Sequence, residues 1–434
     1  MCDAASNARF LKTGGDCMKV VYPVCCGVDV HKSFLVATII TTTKGIQPHY
    51  KKKRFSTYNG QLRELAAWLK ENECTELCME STGKYWVPVY NILEAEGIHI
   101  TVAHPKWVKA VKGNKDDVKD FKWIGELFRL GLVPGSFIPD KPIRILREYT
   151  RYRTKLKSMA SSEKNRFQNA FTVCNVALDS VVNDMFGVSA TKITDYLMTT
   201  SSYDPAYCAS LIHYKMKDKT EAVLASIEGY LIEPEQKYRM KLIRKHLKDI
   251  DTLIERMDKK IDSMVRKYEV AITLITSVPG IQRRTAITVL SEIGADMKQF
   301  SSSKKLCNWA GLTPGNNESA GKKKSVRITK AGAYLKPALL EAAHAAVKCK
   351  EQPYYKRKFE RISKRRGKKR AYIAIARMLL TAVYHILSTG VMWSPTDLEK
   401  TENVAENREE ISVKRAITLL ERKGYSVSQL ENTA

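Results

Sequence analysis

At 434 residues and 44% hydrophobic content, the chain can bury a real core and should divide into two or three domains, which excludes a disordered protein. Lysine and arginine number 73 against 46 aspartates and glutamates, a formal net charge of +27; cations that neutralise phosphates gain free energy from released counterions, so a polyanion partner is expected. No apolar run approaches a transmembrane span, and Asp3, Gly14, Gly15 and Asp16 stand where a secretory signal needs an apolar stretch, so the expected location is the cytoplasm, in association with the nucleoid.

After an extension over residues 1–23, apolar runs at Val24–Val30 and Phe34–Thr42 and a third around Lys53–Ser56 predict three strands in quick succession. A helix over Gln61–Glu71, a short strand ending at Glu80, a helix over Tyr85–Glu96 and a strand over Ile98–Ala103 follow, which makes residues 24–143 an α/β domain. The ten cysteines include no Cys-x-x-Cys pair and no nearby histidine partners, so they read as core residues of a reducing compartment and not as zinc ligands.

Residues 144–270 read as a helical connector. Ile145 to about Phe171 is helical and basic, residues 172–235 are interrupted by Ser201, Ser202, Asp204, Pro205 and Pro234, and Met240, Ile243, Leu247, Ile250, Ile254, Met257, Ile261, Met264 and Tyr268 form a heptad seam. That seam suits one amphipathic helix packed on its own chain, or a coiled coil within or between subunits. Residues 271–393 are short helices with tight turns, and the tail over 394–434 is charged and polar, a peripheral helix or partly disordered.

Two acidic residues close apolar strands: Asp29 in Cys-Cys-Gly-Val-Asp-Val-His, on the same strand face as His31, and Glu80 after Leu77-Cys78-Met79. A charge in such a place is costly without a partner. Asp117 and Asp120 open a helix and share one face, while Asp116 suits its cap or, four residues before Asp120, a further acid of the same group. Acids at two strand ends and on a helix are what a two-metal phosphodiester site needs.

In the last domain, Ser277-Val278-Pro279-Gly280-Ile281 is a tight turn before a small-residue helix. It suits a helix-hairpin-helix that holds a phosphate near Gly280, or a buried packing turn. A Gly- and Asn-rich loop carries Ser319, followed by Lys322, Lys323, Lys324, Arg327 and Lys330, so this hydroxyl has a flexible approach and nearby positive charge. Lys364, Arg365, Arg366, Lys368, Lys369 and Arg370 form a second basic run around Gly367, and Tyr354, Tyr355 and Phe359 are candidates to stack on exposed bases.

Gly27-Val-Asp-Val-His-Lys32, Met79-Glu-Ser-Thr-Gly83 and Lys115-x-Asp117-x-x-Asp120 resemble the RuvC-like DEDD domain of the Piv-like invertase and bridge-RNA-guided insertion-sequence transposase family. Val278-Pro-Gly-Ile, Glu292-Ile-Gly, Ala310-Gly-Leu-x-Pro and Ser319-x-Gly-Lys match the C-terminal domain of that family in order, with Asp116, Phe121, Glu318 and Ala320 departing from its usual residues. The resemblance implies an RNase H-like N-terminal domain, a coiled-coil connector and a mainly helical C-terminal domain. It further implies Asp29, Glu80, Asp117 and Asp120 as ligands of Mg²⁺ or Mn²⁺, and Ser319 as the nucleophile that joins DNA. Expected partners are double-stranded donor and target DNA, a structured noncoding RNA, and further copies of the chain in a dimer or tetramer on DNA. A metal-dependent junction nuclease using the acids alone, and a non-catalytic nucleic-acid-binding protein, are the competing expectations.

Overall fold

Val24–Val30 (β1), Phe34–Thr41 (β2), His49–Ser56 (β3), Glu76–Glu80 (β4) and His99–Ala103 (β5) form one mixed sheet in the order β3-β2-β1-β4-β5. The computed structural model describes residues 20–42, 47–105, 117–315, 317–319, 322–325, 327–395, 397 and 413–423, with backbone alone at 117–122, 317–319 and 322–324. Two units, Met1–Ile138 and Pro139–Ala434, divide the chain.

In the first unit β2 pairs antiparallel with both β1 and β3, while β4 pairs parallel with β1 and β5 parallel with β4. Alternation along the strands gives the sheet two apolar faces. One face carries Cys26, Val28, Val30, Leu77 and Met79, and Leu62, Leu65 and Leu69 of α1 (Asn59–Glu71) with Val89 and Leu93 of α2 (Trp86–Ala95) close over it. The other carries Cys25, Ile40, Cys78 and Ala103, covered by Ile124 and Phe128 of α3 (Asp117–Arg129). Three antiparallel strands extended by two parallel ones, with helices on both faces, is an RNase H-like arrangement. β3 starts four residues before the predicted run, because His49 to Arg54 are polar or charged and exposed; lysines on an edge strand discourage pairing with another sheet.

The path of α3 sets the geometry of the strand ends. The Arg129 carbonyl accepts from the Val21 and Tyr22 amides at 2.9 and 3.1 Å, which fixes the end of the helix beside the start of β1. Gly125 lies over Gly27, where a Cβ on Gly125 would stand 3.5 Å from the Gly27 Cα. α3 therefore runs antiparallel to β1, with its first turn toward the carboxyl ends of β1 and β4.

Among its described residues, the second unit is helical apart from one hairpin. α4 (Lys141–Thr172) packs antiparallel on the seam of α8 (Pro234–Val265), with Leu156 and Ala160 against Leu247 and Ile250. Ion pairs joining Arg153 to Asp258 and His246 to Glu163 fix that direction. The seam thus has a partner within its own chain, and it ends before Tyr268, which lies in a 3₁₀ turn. Residues 172–235, unreadable in sequence, hold α5 (Val188–Thr199), α6 (Pro205–Ser210) and α7 (Thr220–Ala225) around Phe167, Phe171, Ile193, Leu197 and Ile227. The Asp204-Pro205 break is a helix start, since the Asp204 side chain accepts from the Ala206 and Tyr207 amides.

α9 (Glu269–Thr276), α10 (Arg283–Ile293), α11 (Ser303–Trp309), α12 (Leu335–Lys348), α13 (Tyr354–Arg366) and α14 (Lys368–Thr389) follow in the unit, with a further helix at 413–422. Contrary to the sequence reading, α14 is long and apolar enough to cross a membrane. Here Ala371, Ile375, Leu379, Leu380 and Val383 are fully buried and pack on α11, α12 and α13, which makes it a core helix.

α4 is tied to α10 by Glu292, 3% exposed, whose carboxylate accepts from Arg151 at 2.7 and 2.8 Å, while Arg147 donates to the Ser291 and Glu292 carbonyls. The Gly280 turn packs on α12: at φ +86°, its added Cβ would stand 2.5 Å from the Ala342 carbonyl oxygen and the Ala346 nitrogen. Gly280→Ala should therefore cost about 3 kcal/mol or more, from left-handed strain together with a backbone clash. Gly390→Ala, at φ +72° with nothing within 4 Å, should cost only about 1 kcal/mol. Urea denaturation of the two variants checks the difference.

Candidate active site and nucleic-acid interface

Val28 and Met79 are register partners on β1 and β4, so Asp29 and Glu80 stand side by side one step further along the two parallel strands. Their neighbours Val28, Val30 and Met79 face the α1–α2 core, which turns both acids to the α3 side. The Asp29 carboxylate is 23% exposed and pairs with His31 Nε2 at 3.0 Å, and the His31 ring lies 4.5 Å from that of Phe34. Thr82 donates its hydroxyl to Glu80 Oε1 at 3.3 Å.

From Gly125 back to Asp120 is about 7.5 Å of helix, and from Gly27 on to Asp29 about 6.6 Å of strand. The antiparallel crossing thus brings the Asp120 backbone level with Asp29, and Asp117 begins the same turn of α3. The side chains of Asp117 and Asp120, and all of Asp116, lie outside the described residues. Among the described residues no three His, Cys, Asp or Glu side chains converge. The described acids, Asp29 and Glu80, offer carboxylate oxygens, the donor type that hard divalent cations take.

Ser319 lies on a hairpin and not in an irregular loop. It ends the strand Asn317–Ser319 (β6), pairs with Lys322 of Lys322–Ser325 (β7), and follows a bulge between Asn317 and Glu318. The bridge between Pro314 and Ile328 closes the hairpin's foot, where the Gly315 amide donates to the Arg327 carbonyl at 3.1 Å. Only residues 320 and 321 separate the paired Ser319 and Lys322, a two-residue spacing that polar composition hid in the sequence. The side chains of Ser319, Lys322, Lys323 and Lys324 lie outside the described residues; Arg327 and Lys330 are exposed.

A family model described as a transposase matches residues 26–175, and a second, described as the transposase IS116/IS110/IS902 family, matches residues 272–360. The chain belongs to this family. No curated protein matches it. The first match takes in the sheet, α3 and α4, and the second takes in the Gly280 turn, Glu292 and the Ser319 hairpin. The transposase is accordingly an enzyme that cuts and rejoins DNA.

Its second basic run straddles a helix–helix joint. Lys364, Arg365 and Arg366 occupy the last turn of α13, where a helix dipole favours cations, but Lys368, Lys369 and Arg370 occupy the first turn of α14, where it disfavours them. Gly367, at φ +82°, makes the joint, and all six cations are exposed. The three aromatics expected to stack on bases do not belong to this surface. Tyr354, Tyr355 and Phe359 are 7%, 1% and 9% exposed. Tyr355 accepts from Trp393 Nε1 at 3.1 Å, Phe359 packs on Tyr372, and burial together with the Asp397 carboxylate pushes the Tyr354 phenol upward. On amphipathic α13 the rings turn inward because the cations turn outward.

The joint offers a separable test. In the double variant Lys368→Ala, Lys369→Ala the helix should be as stable or a few tenths of a kcal/mol more stable. Duplex DNA affinity should fall, with the slope of log K against log salt shallower by about one for each phosphate that is no longer neutralised. Thermal melting and salt-dependent anisotropy read the two effects independently.

Proposed function

We propose that the transposase cuts and rejoins insertion-sequence DNA through a covalent serine–DNA intermediate, with Ser319 as nucleophile and Asp29, Glu80, Asp117 and Asp120 as ligands of Mg²⁺ or Mn²⁺. The observation that carries this reading is the antiparallel crossing of α3 over β1, which directs the first turn of the helix to the two strand ends bearing acids. Divalent ions bound there would draw charge from the phosphate oxygens and lower the pKa of an oxygen nucleophile.

The Ser319 Oγ–phosphorus bond forms as the bond from phosphorus to the leaving deoxyribose oxygen breaks; the serine gives up its proton and the leaving oxygen gains one. In rejoining, a hydroxyl at another DNA end attacks the same phosphorus and releases the serine, so the phosphodiester energy is retained and no external energy source is needed. His31 fixes the direction of the Asp29 carboxylate. Lys322, Lys323, Lys324, Arg327 and Lys330, on and after the hairpin, bind phosphates beside Ser319, and the Gly280 turn with exposed Gln282 and Arg283 adds a sequence-independent phosphate contact.

By the family resemblance, the acids of one subunit and the serine of another would form a composite site in a dimer or tetramer. Exposed Ile145, Tyr152 and Met159, seven residues apart on α4, give the connector an apolar stripe suited to pairing as a coiled coil with a second copy. The resemblance adds a structured noncoding RNA that selects donor and target DNA, a second polyanion with which a net charge of +27 is compatible.

Two variants test the chemistry. Ser319→Ala should abolish a DNA-linked peptide and strand cutting together, whereas a junction nuclease would go on cutting. Asp29→Asn should slow cutting by on the order of 10²-fold or more, since even outer partners of a metal ligand contribute 10–100-fold. Unchanged function in Asp29→Asn and Glu80→Gln would leave only a non-catalytic nucleic-acid-binding protein. Digestion of the stopped reaction and mass spectrometry of the DNA-linked peptide is the measurement.

A further inference from the structure

Along one side of α14 runs an open groove of about 1440 Å³. Its wall is the half-exposed apolar face of the helix: Ile373, Ala374, Met378 and Ala382. The lining is cationic at the α13–α14 joint, with Arg366, Lys369 and Arg370, and Arg377 adds a charge two turns further along α14. The foot of the Ser319 hairpin, Pro314, Arg327 and Ile328, also lines the groove, and Met392 and Trp393 belong to the lining as well. Asp397, an acid in this lining, is engaged by Lys358 and by the Tyr354 hydroxyl.

This combination selects among occupants. The volume exceeds the roughly 300–1,000 Å³ of small-molecule pockets. An intact duplex turns phosphates outward and bases inward, so it has nothing to set against an apolar wall. The chain's own helix at 413–422, with Leu419 and Leu420 exposed, carries Lys414, Arg415 and Arg422 against Glu421 alone, which opposes a cationic lining. An unpaired strand offers what the groove lacks: phosphates for the cations, and flat base faces for the wall.

We propose that this groove binds an unpaired segment of DNA adjoining the phosphate presented to Ser319, with its backbone on Arg327, Arg366, Lys369 and Arg370 and its bases on Ile373, Met378 and Ala382. DNA is the strand because the hairpin at the groove's end is the one assigned the DNA-joining serine; the inference rests on that reading. It explains a pairing of features that phosphate binding alone does not, an apolar helix face left open directly below a cluster of cations. The groove holds the strand while the serine hairpin acts on it, so separated strands near the cut are kept from re-annealing.

The test uses the full chain without divalent metal, so that nothing is cut, and fluorescence anisotropy of labelled oligonucleotides of about 12 residues, within the site sizes of single-strand-binding folds. Oligothymidylate should bind about 10-fold or more tightly than an abasic deoxyribose-phosphate strand of equal length. Ala382→Glu, or Ile373→Ser if the first variant melts early, should remove that excess and leave duplex binding unchanged.

Equal affinity for the abasic strand would overturn the inference, as would a groove variant that keeps the excess. Tighter binding of oligouridylate would reassign the groove to RNA, and displacement of the oligonucleotide by a peptide of residues 413–423 would reassign it to the tail helix; either outcome overturns the proposal. Ser319→Ala should bind oligothymidylate as the native chain does, so a failed covalent adduct and a failed groove are told apart.

Discussion

The crossing of α3 over β1 is the constraint on which the proposed site depends. A helix lies this near a strand only where side chains leave room, and Gly125 over Gly27 gives a contact without a Cβ on either side. Cys25 and Cys78 beside it are small and fully buried, so the sheet face under the helix stays flat. The hydrogen bonds from Val21 and Tyr22 to the Arg129 carbonyl fix the direction of the helix. With the direction set, the acids of its first turn are committed to the strand ends, and helix register fixes their height. A larger residue at the crossing would lift α3 and move the backbone of its first turn away from the strand ends that carry Asp29 and Glu80.

In the C-terminal unit the comparable fixed point is Glu292. Its carboxylate is nearly dry, and both oxygens are taken by Arg151, with Arg147 bonded to the backbone carbonyls of Ser291 and of Glu292 itself. Breaking a buried pair by removing one partner costs about 3–5 kcal/mol, far more than the pair contributes against an apolar replacement. Such an arrangement specifies where α4 meets α10 more than it stabilises the unit. The long connector helix and the helix that follows the Gly280 turn are thereby held in one register, and the hairpin that rises further along the chain inherits that frame.

Much of the first unit was legible because period two and apolar runs coincide with burial there. β1, β2, β4 and β5 carry the sheet's two faces, and an acid at the end of an apolar run stands out. β3 was clipped because an edge strand has no need to alternate, and the Ser319 hairpin was hidden because its residues are those of a loop. The aromatics of α13 misled for a different reason: Tyr354, Tyr355 and Phe359 lie among lysines and arginines in sequence but on the opposite side of the helix in space. The region over 172–235 was opaque because its helices are short and its core draws single residues from many of them. That the first turn of α3 comes level with Asp29 was not legible, since helix periodicity gives a face and not a partner.

The α13–α14 joint shows how a local cost marks a function. Three cations in the first turn of a helix oppose its dipole, and the next residues of the same helix turn an apolar face to water. Folding alone would favour acids in that turn and polar residues along that face. The two departures from stability sit on adjacent turns and call for one ligand that is both anionic and flat-faced, which a nucleic acid strand supplies and neither a duplex surface nor a basic helix does. The basic run and the apolar face line a single groove together with the foot of the Ser319 hairpin, so a strand held there as proposed would lie next to the residue proposed to join it.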